Sequence, residues 1–261
     1  MKTLIIGDIF GKPGRRMTKK VIKKLREEYE IDFIIANTEN LAHGSGMTLA
    51  TFNEMKEAGI DFFTTGNHIF KKKEIFPELE KESTKILRPE NFPPANPGKG
   101  HQVIQINDQQ ILIVNLMGRV FMRHDYDCPL RTIDRVLEQY QKETFDAIFV
   151  DFHGEATSEK IAFKHYVDGR VTAVWGTHTH VPTADEEVTQ KGTAYITDVG
   201  MVGPMDSVIG SKKEEIIESY LKQDKFRLDV APDGPCVFNA ILIESNDMKA
   251  EKIQRIQIKE S

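Results

Sequence analysis

Short apolar runs alternate with segments of helical periodicity in the first third of the chain. The runs Lys2–Ile9, Ile31–Ala36 and Ile60–Thr65 have the length and apolar content of buried strands. Between them, the pattern predicts one helix beginning near Pro13 and a second over Leu49–Ala58. The apolar face of the first helix consists of Met17, Val21, Ile22, Leu25 and Tyr29. This alternation favours an α/β fold in which parallel strands are joined by crossover helices.

The alternation continues after a helical segment at Lys71–Glu82 and a loop at Arg88–Gly100. His101–Ile106 and Ile111–Leu116 are predicted to form a hairpin. The remaining predicted elements are a helix carrying the stripe from Leu130 to Tyr140, a strand at Ala147–Phe152, a helix at Ser158–Val167, a strand at Val171–Gly176, a helix from a capping box at Ser211–Glu214 through Leu221, and closing strands at Val237–Ile243 and Ile253–Ile258. We find no internal repeat and no linker, so one domain over residues 1–261 is expected.

Composition narrows the class of protein. A formal net charge of −5 over 261 residues argues against a protein that holds long nucleic acid by its overall charge. No apolar run approaches the roughly 18 residues that a membrane helix needs, and the stretch after Met1 is too short for a secretion signal. Cys128 and Cys236 are expected to be free thiols. We therefore expect a cytoplasmic globular protein with no membrane partner.

Side chains that can bind metal ions follow five of the predicted strands. They are Asp8, Glu39, Asn40, Asn67, His68, His153, His178 and His180. Because the carboxyl ends of strands in an open α/β fold face a common crevice, these side chains could converge. Each motif alone is weak, since a Gly-Asp pair is more often a turn and two alternate histidines can be structural. Together they predict a metal site at the carboxyl-terminal strand ends.

The number and type of these side chains indicate two ions rather than one. Three histidines, two carboxylates and two asparagine amides suit two divalent ions about 3.5–4 Å apart that share a carboxylate. A mixed nitrogen and oxygen shell favours iron, manganese or zinc over calcium and magnesium. Such a pair binds phosphate oxygens and activates water near neutral pH, so phosphoester hydrolysis is the predicted chemistry.

Five short motifs resemble the blocks of the calcineurin-like metallophosphoesterases, and more closely those of the bacterial YmdB-type branch. They are Gly7-Asp8-Ile9-Phe10-Gly11, Asn37-Thr38-Glu39-Asn40, Gly66-Asn67-His68, His153-Gly154-Glu155 and Gly176-Thr177-His178-Thr179-His180. The similarity covers most of the chain and continues through Thr197–Met201. Phe10 stands where the wider superfamily has a histidine, and Glu39 stands where it has an aspartate. Both departures are typical of the YmdB-type branch.

The resemblance implies a fold, a site and an activity. The fold would be a metallophosphoesterase-like β-sandwich of mixed sheets flanked by helices, with a dinuclear metal site at the carboxyl-terminal strand ends. One ion would be held by Asp8, Glu39, Asn40 and His180, and the other by Glu39, Asn67, His153 and His178, with Glu39 bridging them. His68 would be free to act as general acid. The implied reaction is hydrolysis of small phosphodiesters, above all 2′,3′-cyclic nucleotides cleaved at the 2′ oxygen, with 3′,5′-cyclic AMP as a further candidate. Iron or manganese is the favoured metal, and zinc is the alternative.

Several alternatives stay open. The same metals could serve a phosphomonoesterase or a nuclease, and a regulatory or scaffold protein could retain a structural metal site. Residues 119–130 mix aromatic and charged side chains, which is typical of a lid over the metals or of a packed surface loop. Glu155 is a candidate for holding a histidine ligand in place. The expected partner is a small phosphodiester, and a homo-oligomer is compatible with the sequence.

Overall fold

Two β-sheets stacked face to face lie at the centre of the protein, and helices cover their outer faces. The computed structural model describes residues 1–223 and 229–260. The strands in these ranges are β1 (Lys2–Ile6), β2 (Asp8–Ile9), β3 (Phe33–Asn37), β4 (Phe62–Thr64), β5 (His101–Ile106), β6 (Gln109–Met117), β7 (Ala147–His153), β8 (Ala173–Thr177), β9 (Glu187–Val188), β10 (Ala194–Ile196), β11 (Met201–Pro204), β12 (Cys236–Asn246) and β13 (Lys249–Lys259). The α-helices are α1 (Gly11–Tyr29), α2 (Leu49–Ala58), α3 (Phe76–Leu79), α4 (Pro129–Gln139), α5 (Thr157–Val167) and α6 (Lys213–Lys222).

Each sheet is mixed but has parallel strands at its centre. The first has the order β2-β11-β12-β1-β3-β4, and β13 pairs with β12. In it β1, β3 and β4 run parallel, whereas β12 lies antiparallel to β1. The second has the order β5-β6-β7-β8-β10-β9, and β6, β7, β8 and β10 run parallel. The parallel strands of each sheet therefore end along one edge.

Three apolar layers hold the sheets and helices together. The central layer lies between the sheets and includes Ile35 and Phe62 from the first sheet and Phe149 and Trp175 from the second. A second layer packs α1 and α2 on the outer face of the first sheet, and a third packs α4 and α5 on the outer face of the second. The result is a helix–sheet–sheet–helix sandwich, which confirms the predicted fold class.

Several predicted elements are confirmed with their bounds. Helix α2 spans Leu49–Ala58, and β5 spans His101–Ile106. Helix α2 begins where Thr48 and Thr51 cap it reciprocally, since each side chain accepts a hydrogen bond from the other residue's backbone N–H. Helix α1 buries Met17, Val21, Ile22 and Leu25, the apolar face expected from the sequence.

The prediction of one continuous strand over Lys2–Ile9 is wrong in its continuity, because the strand breaks at Gly7. A Cβ at Gly7 would lie 1.8 Å from the carbonyl oxygen of Gly200. After this close approach the chain changes partners, and β2 pairs with β11 instead of continuing beside β3. The change of partners sets Asp8 at the end of the first sheet.

Two further predictions differ from the structure, and three short strands have no counterpart among the predicted elements. The expected helix at Lys71–Glu82 is replaced by 3-10 turns at Ile69–Lys71 and Lys73–Ile75 and by the short α3. Pro77 explains the interruption, because proline lacks an N–H and is tolerated only in the first turn of a helix. The capping box is also wrong, because Lys212 is the N-cap of α6 and caps it with no side-chain hydrogen bond. The short strands β9, β10 and β11 were not predicted.

No helix within residues 1–223 and 229–260 has both the length and the apolar character to span a membrane. Cys128 and Cys236 are free thiols, as expected. That residues 1–261 form a single domain stays a prediction.

Candidate metal centre

The edge where the parallel strands end brings together all eight side chains singled out in the sequence. Asp8 lies in β2, Glu39 and Asn40 follow β3, and Asn67 and His68 follow β4. His153 ends β7, whereas His178 and His180 follow β8. Hydrogen-bonding distances connect these residues across both sheets, so the convergence expected from strand order is present.

Four of the side chains direct the atoms that could bind a metal at one small volume. They are Glu39, Asn67, His153 and His178. His153 Nε2 lies 3.3 Å from Glu39 Oε1, 3.3 Å from Asn67 Oδ1 and 3.1 Å from His178 Nδ1. The ligand atoms of Glu39, His153 and His178 all lie within 4.8 Å of one another. Two imidazoles, a carboxylate and an amide oxygen so arranged match the preferences of a divalent transition metal.

A second group lies beside the first. His180 Nε2 is 3.7 Å from Asp8 Oδ1 and 3.1 Å from Asn40 Nδ2. Its other ring nitrogen, Nδ1, donates to the carbonyl oxygen of Ile209 at 2.8 Å, which leaves Nε2 with its lone pair. The ring of Phe10 packs edge-on against His180 with 5.4 Å between ring centroids. Phe10 therefore supports the candidate ligand His180 through a direct ring contact.

His68 lies at the margin of both groups and is about one-third exposed. Its Nδ1 donates to Asn40 Oδ1 at 2.8 Å and lies 3.2 Å from Glu39 Oε1. Its backbone N–H donates to Glu39 Oε2 at 2.8 Å. The ring is thus held by Nδ1, and Nε2 is the nitrogen left for a molecule in the crevice.

The loop that carries His68 must approach the site closely. A Cβ at Gly66 would lie 2.3 Å from His153 Nε2 and 2.5 Å from Glu39 Oε2. Any side chain at this position would displace the atoms that define the centre. The close packing of His153 and Glu39 against position 66 therefore requires a glycine there.

Burial and neighbouring charges shift the pKa values of the candidate ligands in opposite directions. Burial alone would raise the pKa of Glu39, but the imidazoles of His153 and His68 hold it well below its usual range. Burial would lower the pKa of His153, but the carboxylates of Glu39 and Asp8 raise it to about 9. Burial and the charge of His153 lower the pKa of His178 to about 3. Burial raises the pKa of Asp8. The buried carboxylates therefore strongly favour a positive charge close to them.

Buried groups behind the centre hold the histidines in place, and the sequence did not single them out. Asp151 accepts hydrogen bonds from Thr177 Oγ1 at 2.7 Å and from Thr64 Oγ1 at 2.5 Å. Because the Thr177 hydroxyl donates to Asp151, it accepts from His153 Nδ1 at 2.9 Å, and Nε2 then faces the candidate ligands. Asp151 lies within the continuous buried run of β7, and a charged residue inside such a run is the signal that could have found it.

The segment after β8 is held by a buried ion pair. Lys160 on α5 donates from Nζ to Asp198 Oδ2 at 2.8 Å and to the carbonyl oxygen of Thr177 at 2.9 Å. The same Asp198 oxygen accepts from the N–H and the hydroxyl of Thr179. This support matters because His178 and His180 have φ angles of 99° and 67°, which are costly for residues with a Cβ. The spacing of Lys160 with Phe163 and Val167 on the buried face of α5 was the available signal.

Glu155 lies where the sequence suggested a partner for a histidine. Its Oε2 is 3.3 Å from His178 Nε2, on the opposite side of the ring from His153. A carboxylate in this position orients the imidazole and increases its basicity as a ligand. His43, which was not chosen from the sequence, lines the same crevice.

The donor set fits a divalent metal. Asp8 Oδ1 is fully buried and has no hydrogen-bond partner, which is expensive for a carboxylate oxygen unless a cation is bound to it. The imidazoles of His153 and His180 are each held through Nδ1, as metal-binding histidines usually are. These observations agree with the preference of divalent transition metals for carboxylate and imidazole ligands.

A β-sandwich flanked by helices, with carboxylates, amides and imidazoles at its strand ends, defines a hydrolase of the metallophosphoesterase fold. The match of residues 4–256 to the family described as "YmdB-like protein" is more specific. This chain belongs to that YmdB-like family.

Relatives from three organisms support this assignment. The chain is 44% identical over 260 residues to the 2′,3′-cyclic-nucleotide 2′-phosphodiesterase of Bacillus subtilis, which covers 99% of this chain and 97% of that protein. The crystal structure of a hypothetical protein from Thermus thermophilus superposes with a TM-score of 0.93 at 39% identity, over 100% of both chains. That of a novel phosphatase from Mycoplasma pneumoniae gives a TM-score of 0.92 at 36% identity, over 99% of this chain and 93% of that one.

Proposed function

We propose that this protein is a metal-dependent phosphodiesterase that hydrolyses 2′,3′-cyclic nucleotides at the 2′ oxygen. The observation that carries the proposal is the convergence of eight candidate metal-binding and acid–base side chains in one crevice. The B. subtilis relative, similar along almost the whole chain, supports the choice of substrate.

Two ions fit the two groups of side chains. One would be held by Asp8, Glu39, Asn40 and His180, and the other by Glu39, Asn67, His153 and His178. Asn40 Oδ1 already accepts from His68, but its second lone pair is available to an ion. The mixed nitrogen and oxygen donors favour iron or manganese and allow zinc. Such ions, when bound, bind phosphate oxygens and activate water at neutral pH.

His68 has the geometry of a general acid. Asn40 holds its Nδ1, so a proton on Nε2 can be transferred to a substrate oxygen in the crevice. Water attacks phosphorus and forms a new P–O bond as the bond from phosphorus to the 2′ oxygen breaks. The leaving 2′ oxygen takes its proton from His68 Nε2, and the product is a nucleoside 3′-phosphate.

The crevice has the size of a small-molecule site. It encloses about 430 Å³ and is bounded by Glu39, His68, His178 and His180, with Phe10 and Ile209 as apolar walls. Pockets of a few hundred cubic ångströms typically bind small ligands rather than polymers. This supports a mononucleotide as the substrate.

The proposal is tested by a product-resolved screen of the purified enzyme with added manganese. The substrates are 2′,3′-cyclic AMP, 3′,5′-cyclic AMP, 3′-AMP and a short RNA, and metal content is measured by elemental analysis. We expect 2′,3′-cyclic AMP to give 3′-AMP, with loss of both turnover and metal in Asp8→Asn and Glu39→Gln. Asp108→Asn changes an exposed carboxylate at the β5–β6 turn and serves as the control.

Other outcomes would replace the proposal. Turnover of 3′-AMP alone would indicate a phosphomonoesterase, and cleavage of RNA alone a nuclease. Metal content without turnover of any phosphoester would favour a scaffold protein with a structural metal site. Activity on 3′,5′-cyclic AMP, a cytoplasmic location and a homo-oligomeric state stay predictions.

A further inference from the structure

The segment between β6 and α4 forms a loop whose two ends are tied together. We call residues 118–127 the aromatic loop. Asn91, which is almost fully buried, donates from Nδ2 to the carbonyl oxygens of Met117 at 2.7 Å and Asp127 at 2.9 Å. Asn91 Oδ1 accepts from the N–H of Met117, and its backbone carbonyl accepts from the N–H of Asp127. A single buried side chain thus fixes the base of the loop.

A second contact fixes the course of the loop. Glu159 on α5 accepts hydrogen bonds from the backbone N–H groups of Arg119 and Val120, each at 3.0 Å. At the other end, Tyr126 stacks on Phe92 with 4.6 Å between ring centroids and 10° between planes. The residues between these anchors are therefore presented in a defined position.

The tip of the loop exposes an aromatic ring at a strained position. Phe121 is 87% exposed and has a φ of 63°, a conformation that a residue with a bulky side chain rarely adopts. Neither the exposure nor the strain contributes to the stability of the fold. Backbone strain of this kind is concentrated at ligand-binding sites, where the surrounding structure maintains it.

The ring borders a cavity that opens onto the candidate metal centre. The lining of this cavity, of about 260 Å³, includes Asn67, His68 and His178 from the candidate metal centre and Phe121 and Tyr126 from the aromatic loop. Asn67 and Tyr126 also line an adjoining cleft of about 490 Å³. The apolar walls of that cleft are Phe70, Phe92 and Pro93. Aromatic side chains therefore line the space next to the candidate ligands.

We propose that the aromatic loop forms the nucleobase subsite of the enzyme, with the base of the cyclic nucleotide stacked on Phe121. This inference rests on the proposed function, because it assumes that the cyclic phosphate lies at the metal centre. Aromatic rings bind nucleobases through stacking, which accepts every base because each has a π-face. His68 lines both this cavity and the crevice of the metal centre, as a group that protonates the ribose oxygen requires. The loop thus distinguishes nucleotides from other small phosphodiesters.

The test compares two cyclic phosphodiesters, one with a nucleoside attached and one without. 2′,3′-cyclic AMP carries adenine, whereas ethylene phosphate has the same five-membered ring without ribose or base. In Phe121→Ala we expect the ratio of kcat/KM for 2′,3′-cyclic AMP to that for ethylene phosphate to fall about tenfold, mainly through KM. Phe121→Trp should restore the ratio, because it restores the stacking surface.

Tyr220→Ala is the matched control, since Tyr220 is an exposed ring on α6 that lines none of these cavities. It should leave the ratio unchanged. An unchanged ratio in Phe121→Ala, with wild-type enzyme active on 2′,3′-cyclic AMP, would overturn the subsite and leave the proposed function intact. The apolar wall formed by Phe10 and Ile209 would then be the alternative site for the base. Wild-type enzyme inactive on 2′,3′-cyclic AMP but active on other phosphodiesters would overturn the proposed function itself.

Discussion

Replacing Lys160 by methionine is expected to destabilise both the protein and its metal centre. The Lys160 ammonium and the Asp198 carboxylate are each 1% exposed, and they pair at 2.8 Å. Methionine fills a similar volume but removes the charge and the hydrogen bond to the carbonyl oxygen of Thr177. The Asp198 carboxylate then stays buried without its cation, at the point where it holds Thr179 between the two histidines.

The magnitude follows from the burial of the pair. Breaking a buried ion pair by removing one partner costs about 3–5 kcal/mol, because the remaining charge is uncompensated. Asp198 keeps three other donors, the N–H and hydroxyl of Thr179 and the N–H of Gly200, which favours the lower limit. A loss of about 3 kcal/mol corresponds to a Tm about 6–12 °C lower for a chain of this size.

The assay is thermal unfolding of the metal-loaded protein, followed by circular dichroism, together with elemental analysis of retained metal. The control is Lys213→Met, which removes the exposed ion pair between Lys213 on α6 and Asp206. This variant should leave Tm unchanged. Lys160→Met combined with Asp198→Asn should be less destabilised than the sum of the single variants, because the buried charge is gone. A Tm of Lys160→Met equal to that of Lys213→Met, or strictly additive effects in the double variant, would refute the reasoning.

Three further predictions concern the centre itself. His68→Ala should lower kcat at least about 100-fold with an unchanged metal content, and loss of metal on elemental analysis would identify His68 as a ligand instead. Added manganese should raise the Tm of the metal-free protein, by an amount equivalent to about 2.7 kcal/mol at 100 times the dissociation constant. Glu39→Gln should abolish this rise, and a rise equal to that of wild type would exclude Glu39 as a ligand. Gly66→Ala should lose metal with its circular dichroism spectrum unchanged, because the new methyl group would meet His153 and Glu39; full metal content would contradict this contact.

The sequence by itself determined the classes of element and the side chains of the candidate site. Burial of an element produces a periodic pattern of apolar residues along the sequence. For this reason α2 and β5 could be predicted with their bounds. The side chains at the ends of the strands could be identified because strands of one sheet share an edge. The same residues carried the resemblance to the metallophosphoesterases, and all eight candidate side chains converge in one crevice.

Only the tertiary structure decided which distant residues meet. Gly7 interrupts the first strand because Gly200 approaches it, and β2 pairs with a strand that no periodicity predicted. The ion pair of Lys160 with Asp198 and the ties of Asn91 to both ends of the aromatic loop likewise join segments far apart in the chain. The physical reason is that periodicity reports whether a residue is buried, whereas its partner depends on sheet order and register, which are set by the packing of the whole chain.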